Sequence, residues 1–267
     1  MIEYEIENTR NKLLEPYIEN YVKVKVNCNT INGKELFPRP GASWLLMNQP
    51  FTVDNKKFHS NCLVGIQVKS AHLLWNSDYL EGLSVKFTPF GLSRFVNTSI
   101  STLQNNVVDF QKLTNSNKCI NHLSTSILEA SSLTEKIALV ESLLVYSFKE
   151  ITTIESRIFH FANRIKSNPS ININDAKKNV PLSSRQLERK FKELLGVNIQ
   201  TFIRVCRFDQ AKNQLLLSRK SKLTSLGYDL GYFDQSHFSK EFKRFSLVSP
   251  KKFPESHPFY NLIAGKY

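Results

Sequence analysis

The sequence predicts an α+β chain in two parts: a β-rich barrel or sandwich, then an all-α domain in which two helix–turn–helix units are joined by a linker helix. Three observations carry this. Up to about Val108, short apolar or alternating stretches are separated by polar, Gly or Pro breaks, the spacing of strands and turns. From Asn115 onward apolar residues recur at three- and four-residue steps, the period of amphipathic helices. The charge is also lopsided: 36 Lys+Arg against 23 Asp+Glu give +13, with 15 basic and 14 acidic residues in positions 1–150 but 21 and 9 in the rest. An excess concentrated in the helical half predicts a polyanionic partner for that half.

A length of 267 residues suits two domains, and 41% hydrophobic content suffices for a core in each. No run of 18 apolar residues occurs, and the opening MIEYEIENTR has neither an apolar signal core nor an Arg-rich, acid-free transit composition. The expectation is a soluble cytoplasmic protein with no membrane partner. Cys28, Cys62, Cys119 and Cys206 form no C-x-x-C pair, so they are expected to be free thiols.

Taken in order, the expected strands are Tyr21 to Val26, Trp44 to Met47, Cys62 to Val68 and Leu83 to Phe87. Trp44, Trp75, Phe37, Phe51, Phe58 and Phe87 are core on short strands or an aromatic lining for a ligand. Next, Ile137, Val140, Leu144 and Phe148 form one helical stripe, which either covers the barrel or joins two chains; we read it as a homodimer seam. A polar hinge, Lys149 to Ser156, leads into the basic segment.

That segment holds two weakly similar units. In the first, Ile171, Ile173 and Ala176 belong to a small packing helix and Val180-Pro181-Leu182 interrupts it. Ser183 followed by Gln186 is a capping box, and Gly196 stops the new helix, SRQLERKFKELL. Its buried side is Leu187, Phe191, Leu194 and Leu195; Arg185, Gln186, Glu188, Arg189 and Lys192 face elsewhere. In the second, Leu223, Leu226 and Leu230 line a short helix, Gly231 permits a turn and Asp234 caps the next helix. There Phe238, Phe242 and Phe245 pack inward, leaving Gln235, Ser236, Ser239, Lys240 and Lys243 outside. Between the units Ile199 to Leu217 reads as a helix of roughly 30 Å. A strut of that length can set two recognition helices one DNA turn, about 34 Å, apart.

These residues resemble the AraC/XylS-type DNA-binding domain over about Ser156 to Phe253, with LSSRQLERKFKELLGV in the place of its first recognition helix and LGYFDQSHFSKEFKRF, then Ser249-Pro250, in the place of its second. The resemblance implies two helices in successive major grooves, using Arg185, Arg189 and Lys192, with Gln186 beside them, and Gln235, Ser236 and Lys240, with Lys243 on the same face. It also implies contact with RNA polymerase and a role as activator. The chain departs from the pattern at Lys177, where a small Ala is usual, at Pro181 in the first turn, at Gly227, and at Leu247, where a glycine normally stands. A leucine there must avoid positive φ or carry strain.

Further upstream, LEPYIENYVKV, ELFPRPGASWLLMNQ and LEGLSVKFTPFGLSRFVNTSISTLQNNVVDF resemble the cupin-like regulatory domain attached to one branch of these regulators. Such a domain implies a small-molecule effector or a second subunit; Arg39, between Pro38 and Pro40, either meets an anionic effector or is a surface turn residue, and Trp44 is the other candidate effector residue. Metal chemistry is not expected, because His59 and His72 are isolated, His122 falls in the helical part, and no H-x-H set is present. Nor is there a G-x-S-x-G, a P-loop lysine or a dinucleotide turn, so neither catalysis nor a cofactor is expected.

The sequence thus predicts residues 1–113 as a sensing or dimerising domain, 114–154 as helical linker and 155–267 as DNA-binding domain, with units at about 171–196 and 222–246 and recognition helices at about 184–195 and 235–245. The function expected is sequence-specific binding of double-stranded DNA to control transcription. The alternative is a non-catalytic RNA-binding or nucleoid-associated protein without base specificity, although no ribonucleoprotein string or G-x-x-G clamp supports RNA.

Overall fold

The structure, a computed structural model, describes residues 2–27, 33–110, 124–217 and 223–256. Cys28, Cys119, His122 and the first part of the expected linker lie outside the described residues. Among the described residues ten strands form two antiparallel sheets. The larger runs β1 (Ile2–Glu7), β2 (Ile18–Asn27), β9 (Tyr79–Phe87), β4 (Ser43–Met47), β7 (Asn61–Val64), β10 (Val107–Val108), and the smaller runs β3 (Gly33–Leu36), β8 (Ala71–Trp75), β5 (Phe51–Val53), β6 (Lys56–Phe58).

The larger sheet is apolar on both faces because each face is covered. Its strands alternate with period two, so Val22, Val24, Leu45 and Met47 point toward the smaller sheet and pack with Phe51, Val53, Leu73 and Trp75. Tyr21, Trp44, Leu46, Leu83 and Val85 point the other way, into a core shared with helices. Those helices are a stretch at residues 124–129 (α1), α2 (Leu133–Tyr146) and α3 (Thr153–Ser167). Ser132 and Thr152 cap α2 and α3 by accepting from Glu135 N–H and Glu155 N–H.

This arrangement decides the α2 stripe. Ile137, Val140 and Leu144 are buried in the shared core, and Phe148 packs beside the Tyr17 and Phe95 rings. The dimer seam expected there is therefore corrected: the apolar face has its partner within the chain, on the outer side of the large sheet.

The helical domain continues with α4 (Ile173–Ala176), α5 (Ser184–Leu195), α6 (Ile199–Leu217), α7 (Leu223–Asp229), α8 (Gln235–Ser246) and α9 (Phe253–Ser256). Its first unit shares the main core through Leu187, Phe191, Leu194 and Phe202. The second has its own core of Phe208, Leu226, Leu230, Phe238, Phe242 and Phe245, which Phe37 of the N-terminal domain enters and against which Val68 of that domain also packs. Among the described residues no helix is long and apolar enough to cross a membrane.

Candidate nucleic-acid interface

The two units are built alike and finished differently. In α5 the Ser183 hydroxyl accepts from Gln186 N–H at 3.3 Å while the Gln186 carbonyl accepts from Ser183 N–H at 3.0 Å, the full capping box. Buried Leu187, Phe191, Leu194 and Leu195 fix the helix's rotation, which leaves Arg185, Gln186, Arg189 and Lys192 exposed. Gly196 closes the helix at φ +89°, and a Cβ there would meet the Ile100 carbonyl oxygen at 2.9 Å. The left-handed turn and the close approach of the N-terminal domain both require glycine here.

In α8 the Asp234 carboxylate accepts from His237 N–H at 2.7 Å, and Phe238, Phe242 and Phe245 are buried. Gln235, Ser236, Lys240 and Lys243 are exposed. Thr224 of α7 donates to the Gln235 side-chain carbonyl at 2.7 Å, a positioning contact that the sequence does not announce. The helix ends with Leu247 at φ +66°, so this leucine does adopt the left-handed conformation and carries its strain. Between the units α6 has 19 residues, or about 28 Å of rod. It grips the second unit through Arg204, which pairs with Glu241 at 2.7 Å; Glu241 also accepts from the Tyr232 hydroxyl at 3.1 Å.

A second feature lies between the two sheets. A cavity of about 330 Å³ has walls of Val22, Val24, Leu36, Leu45, Met47 and Leu73, and opens against Asp209, Lys212, Asn213 and Leu216 of α6. Lys34, Lys86, Arg39 and Glu19 also line it. Burial pushes the Lys34 ammonium down to about 8. Burial, and then the charge of Arg39, push Lys86 well below the ordinary lysine value. Burial alone would raise the Glu19 carboxyl, yet Arg39 and Lys166 outweigh it and hold it at about 2. Arg39 also donates to the backbone oxygens of Ala42 at 2.6 Å and Phe87 at 3.1 Å, so it is a built part of the wall, not a surface turn residue.

Trp44 is not part of this cavity. It neighbours Ser43 and Leu45, which line it, but strand alternation turns the indole to the opposite face, where it stacks on Phe110 at 4.4 Å. The effector role expected of Trp44 is corrected on that ground. Lys34, Lys86, Lys212 and Glu19 were missed in the sequence; a charge inside an otherwise apolar strand, as in GLSVKF, is the signal that marks Lys86. Among the described residues no group of three His, Cys, Asp or Glu is placed to hold a metal. Cys62 and Cys206 are buried free thiols.

Two capped helices with basic outer faces, each following a shorter helix and a turn, define a paired helix–turn–helix protein. Residues 178–256 match the family model described as a helix-turn-helix domain. That match makes residues 178–256 a helix-turn-helix domain. A search of curated proteins finds no match. Among solved structures, ToxT from Vibrio cholerae O395 aligns over 100% of this chain and 99% of its own at 14% identity and a TM-score of 0.48. A second ToxT structure, from Vibrio cholerae strain SCE256 and described as bound to an unsaturated fatty acid, covers 98% of each chain at 15% identity and a TM-score of 0.48. A transcriptional regulator with an AraC-type DNA-binding domain from Chromobacterium violaceum covers 38% of this chain and 91% of its own at 23% identity and a TM-score of 0.35.

Proposed function

We propose that the protein reads a DNA site with α5 and α8 in successive major grooves on one face of the duplex. Lysine and arginine charges and the helix N-termini anchor phosphates and fix register, and a few side chains on each helix read base edges. The observation that carries this reading is the repeated design at the two ends of a rigid strut: each helix presents a basic face, and about 28 Å of α6 separates them, close to one turn of DNA. On α5 the base readers are Arg185 and Arg189, with Lys192 and Gln186 flanking; on α8 they are Gln235, Ser236 and Lys240, with Lys243 toward phosphate. Contact with RNA polymerase from the DNA-bound state completes the role in transcription.

The effector site of this reading is the cavity between the sheets. Its walls suit an apolar chain, and the basic side chains lining it, Lys34, Arg39, Lys86 and Lys212, outnumber the carboxylates of Glu19 and Asp209, which suits an anionic head, so the ligand class is a small single-chain carboxylate or similar amphiphile.

Arg189→Ala tests the DNA limb in sites selected by the full chain from random duplexes. If the guanidinium reads guanine, the variant loses about 1 to 3 kcal/mol on matched sites and relaxes preference in one half only. Gln235→Ala should relax preference about one helical turn away. Equal loss on all sequences for both variants would make these phosphate contacts and refute base reading by these helices.

A further inference from the structure

The residue that precedes a helix N-cap commonly packs against the fourth residue of the helix, closing the first turn as a hydrophobic staple. In the first unit that residue is Leu182, half-buried and packed against the core ahead of Ser183. In the second unit it is Phe233, ahead of Asp234, and Phe233 is 85% exposed. The staple has moved back one residue: Tyr232 is buried, its ring 5.3 Å from Phe238, with Arg207 over its other side at 5.3 Å.

Phe233 is therefore not a loose loop residue. Gly231 turns the chain at φ +78°, Tyr232 is anchored in the core and Asp234 is tied to His237 N–H, so the backbone on both sides is held and the ring is aimed outward. It emerges beside the exposed Gln235 and Ser236 at the end of α8 that a recognition helix points at base edges. A fully exposed phenylalanine leaves about 1.5 to 3 kcal/mol of burial unclaimed in the free protein. The basic character of this domain makes duplex DNA the partner that claims it. In the major groove the one apolar group a base pair offers is the thymine C5-methyl.

We propose that Phe233 is a specificity-determining residue that reads a thymine methyl at the edge of the α8 half-site. The inference rests on the proposed placement of α8 in the major groove and adds a base preference that hydrogen-bonding side chains cannot supply. It also gives the two units different chemistry, polar and cationic in the first, partly apolar in the second.

The test uses the full chain and duplexes it selects from a random library. Each thymine is replaced singly by uracil, which removes only the methyl and keeps pairing. The wild type should lose about fourfold in affinity at one or two positions bordering the α8 half, the value of one buried methyl, and nothing in the α5 half. Phe233→Ala should bind thymine and uracil duplexes alike at those positions, while Phe233→Leu keeps part of the difference. The side chain is exposed, so both variants should melt with the wild type. Methyl dependence that survives in Phe233→Ala, or its absence everywhere in the wild type, overturns the inference while leaving DNA recognition standing. A wild type that selects no duplex removes the groove placement beneath it as well. Unchanged DNA binding with lost transcription in Phe233→Ala would assign the ring to a protein partner and overturn it too.

Discussion

Phe37→Ala should uncouple the second helix–turn–helix unit from the N-terminal domain without unfolding either. Phe37 follows β3, yet its ring is 6% exposed and sits 6.3 Å from Phe208 of α6 and 5.1 Å from Phe253 of α9. Truncating a buried phenylalanine costs about 3 to 5 kcal/mol, part of it from two aromatic contacts at roughly 0.5 to 1.5 each. Nearly all that contact is with the DNA-binding domain, so the loss should appear as earlier opening of α6, α7 and α8. By hydrogen exchange, a loss of about 3 kcal/mol is a fall in protection of roughly a hundredfold there, where opening passes through the detached state. Amides of β2 and β9 should keep their protection, because their core is made by other residues. Phe37→Leu retains most of the volume and should lie close to the wild type. A uniform fall across both domains, or none in α6 to α8, would refute the view that this ring joins them.

Leu247→Gly should stabilise the protein by about 0.5 to 1 kcal/mol in urea denaturation: left-handed backbone costs an L-residue about 1 to 2 kcal/mol, partly offset by the extra freedom glycine brings to the unfolded chain, and the leucine is 59% exposed so little burial is lost. Leu247→Ala keeps the strain and should show no gain. Single-chain carboxylates should raise the melting temperature of the full chain at pH 7 and bind progressively less well as pH rises through about 8, where Lys34 loses its charge, by up to tenfold per unit. The carboxylate stays ionised over this range, so the sign reports the cation; in the free protein the same depressed ammonium makes stability rise with pH between about 8 and the ordinary lysine value. Lys34→Met should flatten the binding profile, and constant affinity from pH 7 to 9 would remove Lys34 from the site.

The helical half was legible because its signals are local. Capping residues, apolar period and stop residues place α5 at Ser184–Leu195 and α6 at Ile199–Leu217, and α8 runs one residue past the expected end. The β half was legible only where a strand is buried on both faces, as in β2, β4 and β9. β3, β6 and β8 escaped because GKEL, KKF and AHLLW owe their strand state to pairing with distant segments, and β8 leaves His72 and Leu74 exposed. The expected strand from Cys62 stops at Val64, and the next residue is Gly65, where a Cβ would sit 2.0 Å from the Leu103 carbonyl oxygen. Burial inside a chain and burial between chains look the same in a heptad-like stripe, so the α2 face could not be assigned before the outer side of the large sheet was known to need a cover. The cavity was invisible for a similar reason: its walls come from seven strands and one distant helix.

How a ligand in that cavity would act on DNA binding follows from what holds each unit. The first is docked through the end of α5, where Gly196 lies against Ile66 and Ile100, and the second through Phe37 and through Ser70, whose hydroxyl donates to the Phe245 carbonyl at the end of α8. Both reading helices are thus braced by the N-terminal domain at their C-terminal ends, leaving their N-terminal ends, with Arg185 and Gln235, outward. The strut between them is also a cavity wall, through Lys212, Asn213 and Leu216. A ligand changes DNA affinity only by the difference in its affinity for two arrangements of these parts, and a near-complete switch needs about 5.5 kcal/mol of difference. Lys212 is buried and already paired with Asp209 at 2.6 Å, so a head group on it gains Coulomb energy only against the cost of desolvating its own charge and cannot supply the difference alone. The apolar chain must contribute most of the difference, at about 0.8 kcal/mol for each methylene buried in one arrangement and released in the other. Regulation should therefore grade with chain length: short carboxylates of the same charge should occupy the site and leave DNA affinity nearly unchanged, and control should appear only once the tail is long enough to touch α6 and the barrel wall together.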